Sequence, residues 1–370
     1  MNPYVSLADL PLRPELKGTQ PYGAPQIDVP VRLNTNENPY PPSEAVITDL
    51  QKAFAQIAAD INRYPDREAI ELRTALADYL NQQLPSTSPS GLIAENTWAA
   101  NGSNEVMTHL CQAFAGPDRK VLTFTPTYSM YPEYVRNTHS SYVRVARGAD
   151  YRIDLKSALT AIAEHDPHVV LIATPNNPTG TTTDLDTIRA IAAATDKIVV
   201  IDEAYQEFSR HPELTALSLL PEFANLVVVR TMSKAFAFAG GRVGYLAANP
   251  AIVDACRIVR LPYHLSTQTQ RFAMVGLAHA GEMLSNVAKL RAVRDDMLTR
   301  LPQLGVEVID SDANFCLFGR FDDRHDVWEQ LVQNGVLVRE TGPDGWLRVS
   351  AGTPAECEAF FSALARVLGR

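Results

Sequence analysis

The stretch L-V-V-V-R-T-M-S-K-A-F-A-F-A-G-G-R-V-G, residues 226–244, sets the reading of the whole chain. Its first four residues form an apolar, β-branched run with the composition of a buried strand. Behind them come Thr231, Ser233, Lys234 and Arg242 in a segment rich in Gly and Ala. A lysine delivered from the end of a buried strand into such a loop is partly desolvated, and burial favours the neutral, nucleophilic amine that Schiff-base chemistry needs. An ordinary solvated Lys and Arg after a strand is the competing reading of this stretch alone.

The same pattern repeats upstream. Short apolar runs at 121–124, 169–173 and 198–201 alternate with helical segments such as 184–194, which predicts an α/β fold with a mainly parallel, covered sheet. Ligands collect where the strands of such sheets end. Residues with chemistry follow each run: Thr127 and Tyr128, then Asn176 and Asn177, then Asp202 and Tyr205, then Ser233 and Lys234. No G-x-G-x-x-G lies at a strand-helix turn and no G-x-x-x-x-G-K-[ST] is present, which disfavours a dinucleotide fold or a P-loop.

Before the first of these runs, helical spacing appears at 45–57 and 69–80, parted by N-R-Y-P-D (62–66), where Tyr64 precedes the helix-breaking Pro65. A polar Pro/Ser segment at 84–90 reads as a surface loop. W-A-A-N-G-S-N-E (98–105) opens a helix, and its turn Gly102-Ser103-Asn104 presents unpaired backbone N–H groups at the positive end of the helix dipole. Glu105 in the first turn is also what an ordinary helix start would carry; capping and anion binding use the same donors.

Residues 1–42 hold nine prolines and little periodicity, so they read as an extended arm, with a polar loop at L-N-T-N-E-N-P-Y-P-P (33–42). Residues 43–280 form the large unit, and 281–370 a smaller α+β unit: a long amphipathic helix to 301, strand-like runs at 306–309, 315–318, 336–339 and 346–350, a helix near 327–334 and a closing helix. Thr353-Pro354-Ala355-Glu356 is a capping box for the last of these. Arg339 and Arg348 each sit on a β-like run, where simple alternation would equally turn Arg348 to solvent.

Bulk properties narrow the field. The 370 residues are 46% hydrophobic and 20% charged, a normal globular composition for two domains. A net charge of -9 argues against a general nucleic-acid binder, and no apolar run approaches the ~20 residues of a membrane span. Cys111, Cys256, Cys316 and Cys357 are scattered, and the start of the chain lacks a secretory pattern, so a reducing cytoplasm is expected. His165 and His168 flank a likely turn without further ligands, so no metal is expected. A Schiff-base lysine, an acidic residue for a pyridine nitrogen and an anion cradle together describe pyridoxal 5'-phosphate.

In N-N-P-T-G (176–180), D-E-A-Y (202–205) and S-K-x-F-x-x-A-G-x-R-x-G (233–244), in that order, the chain resembles the fold-type I, aspartate-aminotransferase-like family over nearly its whole length. Within it, L-N-T-N-E-N-P-Y-P-P, N-R-Y-P-D and P-Y-G-A-P-Q around Tyr22 resemble the histidinol-phosphate aminotransferase branch, with aromatic amino-acid aminotransferases as the alternative. The resemblance implies that Lys234 is the Schiff-base lysine, that Asp202 pairs with the pyridine nitrogen, and that Asn177 and Tyr205 bond the ring oxygen. Tyr128 would stack on the ring. Gly102, Ser103, Asn104, Thr231, Ser233 and Arg242 would hold the cofactor phosphate, with Tyr64 reaching it from the other subunit of a homodimer. Tyr22, Asn36, Asn177, Arg339 and Arg348 would contact substrate, implied to be histidinol phosphate and glutamate or 2-oxoglutarate in ping-pong exchange. Ser103-Asn104 is a mild departure from the acidic residue or Ala of many relatives, and leaves the backbone donors intact.

Overall fold

The computed structural model describes residues 6–84 and 91–370, so most of the polar segment expected as a loop at 84–90 lies outside the described residues. The core of the large unit is a seven-stranded sheet: Thr97–Ala100 (β1), Lys120–Thr125 (β2), Ser141–Ala146 (β3), Val169–Ala173 (β4), Ile198–Asp202 (β5), Leu226–Thr231 (β6) and Gly244–Ala248 (β7). The spatial order is β1-β7-β6-β5-β4-β2-β3. Only β7 runs antiparallel to its neighbours, so the sheet is mainly parallel, as the alternation predicts.

Strict alternation of side chains explains why these runs are apolar throughout. Leu122, Val170, Ile172, Val199, Ile201 and Val228 belong to one packed cluster, while Val121, Val169, Leu171, Val200, Val227 and Val229 belong to the other. Helices cover both faces and leave the strand ends as the place where polar side chains can gather. Asp202 and Glu203 show the switch of face. Asp202 lines a pocket, whereas Glu203 turns behind it and binds buried Arg230 at 2.7 Å, with Thr215 Oγ1 and the Ala216 N–H also donating to it.

The expected helices are present as Glu44–Ala58, Ile70–Asn81, Ser103–Phe114, Leu185–Ala193, Ala280–Gln303, Arg324–Gln333 and Pro354–Val367. Thr353 Oγ1 accepts from the Glu356 N–H while Glu356 Oε2 accepts from the Thr353 N–H at 2.7 Å, completing the capping box. One expected strand divides. Val336–Leu337 pairs in parallel with Val31–Arg32 of the arm, and Arg339–Glu340 joins a second sheet with Leu347–Ser350, Phe315–Gly319 and Glu307–Val308. The arm is therefore sewn to the C-terminal unit: the Leu33 N–H donates to Leu337 O, and the Ser350 N–H to Leu33 O. Two of its polar residues are buried with partners, Asn34 donating to Pro25 O and Asn36 held by Ser350.

Candidate active site

The C-terminal ends of β1, β2, β4, β5 and β6 open on one pocket lined by Ser103, Asn104, Tyr128, Asn177, Asp202, Tyr205, Thr231, Ser233, Lys234 and Arg242. Ten of the residues expected at the site thus meet in one place, from segments far apart in the chain. Gly102 adjoins it: a Cβ added there would stand 2.5 Å from Arg242 Nη2. Its φ of +83° suits glycine and starts the helix whose first backbone bonds run from the Glu105 and Val106 N–H groups to Gly102 O. The Ser103 and Asn104 N–H groups precede those bonds and stand as helix-start donors. Arg242 donates to Ser233 Oγ and Ala239 O. No carboxylate lies within ion-pair distance of it among the described residues, so a strong cation, two helix-start amides and hydroxyls face the same end of the pocket.

At the opposite end, Asp202 accepts from Tyr131 Oη at 3.0 Å and from the Ala204 N–H at 3.2 Å. No cation pairs with it among the described residues, and burial pushes its carboxyl up to about 6 despite both bonds. Lys234 Nζ donates to Thr35 O at 2.8 Å. Burial, aided by the positive charges of Arg348 and Arg242 and opposed by Glu37, lowers this amine to about 8. Asn176, next to Asn177, turns away: its side chain accepts from Thr127 Oγ1 and donates to Pro126 O, fixing the loop after β2 rather than facing the pocket.

Arg348 is buried rather than turned to solvent. Its Nη1 donates to Asn177 Oδ1 at 2.5 Å and its Nη2 to Asn34 O at 2.8 Å, while its Nε is buried without a partner. Arg339 lies directly across the ladder from it, donates to Gly23 O, and has its own buried Nη1 unpartnered. Two facing arginines, with no carboxylate paired to either among the described residues, repel each other and leave donors unmet. Asn36, held in the left-handed region at φ 55°, donates to Tyr205 Oη at 3.0 Å. Tyr22 is half-exposed and bonds Ser129 Oγ, next to Tyr128. Tyr64 is not in this pocket; it is exposed and stacks on Tyr263 at 4.4 Å between ring centres.

Several contributors escaped sequence reasoning. Tyr131 and Tyr134, with Tyr128, form a Y-x-x-Y-x-x-Y series whose spacing was the available signal. Ser350 and Asn314, which hold Asn36, and the Thr35 carbonyl gave no signal of their own.

A buried carboxylate lacking a cation, a lysine driven toward neutrality and an anion cradle lining one pocket fit a phosphate-bearing pyridine aldehyde, and together define an aminotransferase-type site. The family model described as aminotransferase class I and II matches residues 28–364. Histidinol-phosphate aminotransferase of Thermobifida fusca (strain YX) is 54% identical over 365 residues, covering 99% of this chain and 97% of that one. The enzyme of the same name from Corynebacterium efficiens is 51% identical, with 99% and 97% covered. In fold, the chain is similar to histidinol-phosphate aminotransferase from Sinorhizobium meliloti, solved in complex with pyridoxal-5'-phosphate, with a TM-score of 0.82, 23% identity, and 92% and 91% of the two chains covered. The chain belongs to the histidinol-phosphate aminotransferase family within the class I and II aminotransferases.

Proposed function

We propose that this protein exchanges an amino group between L-histidinol phosphate and 2-oxoglutarate, giving imidazole acetol phosphate and L-glutamate, with pyridoxal 5'-phosphate as cofactor. Relatives at about half identity over the full length carry that activity in their names and favour it over the aromatic amino-acid alternative. The observation in this chain that carries the reading is the unpaired Asp202 carboxylate facing the same pocket as Lys234.

When bound, the cofactor supplies a protonated ring that draws electrons from the substrate Cα. Asp202 stabilises the positive ring nitrogen, which removes the penalty of burying an isolated carboxylate. Asn177 and Tyr205 direct an amide and a phenol at the ring oxygen, Tyr128 covers one face, and Gly102, Ser103, Asn104, Thr231, Ser233 and Arg242 bind the phosphate. Lys234 would hold the cofactor through its amine. Its Nζ would also take the substrate Cα proton and keep it for return; an amine lowered to about 8 has enough free base near neutral pH to do so. Arg348 and Arg339 receive the substrate phosphate in one half-reaction and a carboxylate in the other, since a guanidinium forks onto either oxyanion. Tyr22 and Asn36 close the substrate side.

The large and small units (43–280 and 281–370) are the two bodies between which substrate would enter, and the protein acts in the cytoplasm as a homodimer with a shared site. All four thiols are buried and uncrosslinked, and burial pushes them up to about 11 or 12, which suits a reducing compartment. The test is a single-turnover half-reaction of the purified holoenzyme with histidinol phosphate and, separately, phenylalanine. Fast loss of the visible cofactor absorbance with the first and slow loss with the second is expected. The reverse order would move the protein to the aromatic alternative. Lys234→Ala should abolish the visible absorbance, and an unchanged spectrum would sink the cofactor assignment.

A further inference from the structure

Three tyrosines follow β2 at a spacing of three, and between them they reach two residues of the pocket, Asp202 and Asn104. Tyr128 lines the pocket itself and meets the Tyr131 ring edge-on at 5.7 Å. Tyr131, fully buried, donates its hydroxyl to Asp202 Oδ2, while the Ala204 N–H takes Oδ1. Tyr134 donates to Asn104 Oδ1 at 2.8 Å, and Tyr128 reaches the same oxygen at 3.3 Å. Tyr131 and Tyr134 both stand on the short helix Tyr131–Asn137.

We propose that Tyr131 is the positioning residue that keeps Asp202 ionised and aimed at the cofactor's ring nitrogen, while Tyr134 separately orients Asn104 at the phosphate end. The argument rests on the cofactor reading above and on three features of the geometry. Asp202 has no cation among the described residues, so its charge in the free protein depends on the hydrogen bonds it accepts, and Tyr131 supplies the only one from a side chain. A phenol buried beside a carboxylate holds its own proton firmly, so Tyr131 remains the donor and Asp202 the acceptor. With one lone pair of each oxygen engaged from behind, the remaining lone pairs face the pocket that Asp202 lines.

At Asn104 the logic differs. Two phenols converge on Oδ1, which leaves Nδ2 as the donor available to the pocket. This contact serves the phosphate and is indifferent to what the ring contains.

The two roles separate when the apoprotein is titrated with pyridoxal 5'-phosphate and with the analogue in which the ring nitrogen is replaced by C–H. Both ligands carry the same aldehyde and phosphate. Wild type should prefer the nitrogen-containing ring. Tyr131→Phe should narrow that preference by roughly tenfold or more, the worth of one hydrogen bond to a charged group, because a neutral Asp202 tolerates C–H and serves a pyridinium poorly. Tyr134→Phe, also buried and on the same helix, should weaken both ligands by one common factor. The ring-nitrogen NMR shift of labelled cofactor should move toward the unprotonated value in Tyr131→Phe only. An unchanged preference in Tyr131→Phe, or equal weakening of both ligands there, overturns the inference. Failure of wild type to bind either ligand would sink the cofactor reading itself, and the inference with it.

Discussion

Asp202 and Lys234 are driven toward neutrality by the same burial, the carboxyl up to about 6 and the amine down to about 8, and each is thereby readied for a partner the protein does not supply. This has a cost in the free protein whose sign follows from the shift. A carboxyl raised from 3.8 to about 6 binds more protons folded than unfolded between those values, so folding stability falls as pH rises through that window and the full penalty is present above it. Asp202→Asn removes the titration. Its apoprotein stability relative to wild type should therefore improve by roughly 2–3 kcal/mol between about pH 4 and about pH 7, read from urea unfolding at each pH. A difference that stays constant with pH would show that Asp202 is not held in its raised state. Cofactor binding should reverse the order above pH 6, since the pyridinium then gives the carboxylate its counter-charge. Arg348 stands in the same position toward substrate: buried, opposite Arg339 and with an unmet Nε. Arg348→Ala should weaken histidinol phosphate and glutamate alike, by roughly tenfold or more, measured as KM in the two half-reactions. Loss of only one substrate would contradict a shared anion pocket.

Among the elements, those that announced themselves in the sequence were the ones whose apolar runs are buried on both faces, β2, β4, β5 and β6. The strands that went unread lack that signature. β3 is an edge strand with no fully buried residue, so Ser141 and Arg144 interrupt the apolar run of S-Y-V-R-V-A. Thr97–Ala100 is short and runs straight into the Gly102-Ser103-Asn104 turn, and β7 begins within the glycine-rich segment after Lys234, where loop chemistry masks a strand. The site shows the same division. Residues that follow a strong strand could be placed at its end, whereas Asn34, Ser350 and Asn314 act through contacts more than 270 residues apart in chain order, which no local pattern reveals. Two glycines near the junction of β1 and β7 have different roles. A Cβ on Gly244 would lie 2.0 Å from the Ser103 backbone nitrogen, and neither backbone can give way. A Cβ on Gly102 would meet the end of the flexible Arg242 side chain instead. Gly244→Ala should therefore fail to accumulate as folded protein, while Gly102→Ala should fold with a lowered thermal midpoint and bind pyridoxal 5'-phosphate at least roughly tenfold more weakly. Equal behaviour of the two variants would contradict this division.

On the scale of the whole molecule, Tyr64 is an expected participant that lies on a groove of its own, away from the pocket. Tyr64 is 79% exposed although its ring stacks on Tyr263; Ile61 beside it is largely uncovered, as are Ile258 and Leu261 shortly before Tyr263 in the chain. Ile57, Pro65 and Pro262 line a shallow groove beside them. An isologous dimer would cover this face and carry each Tyr64 toward the other subunit's phosphate end. Sharing of that kind makes a sharp prediction for mixed dimers of Lys234→Ala with Tyr64→Phe. If Tyr64 acts across the interface, one site of a mixed dimer has lost both residues and the other has neither lesion, because its lysine comes from one chain and its tyrosine from the other. Co-expression with random pairing should then yield wild-type sites amounting to about one quarter of the total, seen as a new high-affinity phase in cofactor titration and as recovered half-reaction amplitude. If Tyr64 served its own subunit, no pairing would assemble an intact site, and the mixture would behave as the plain average of its parents. Replacing Ile61 and Leu261 by Asp supplies the complementary result: subunits that no longer associate should retain the Lys234 pocket in outline yet hold the cofactor phosphate as weakly as Tyr64→Phe does.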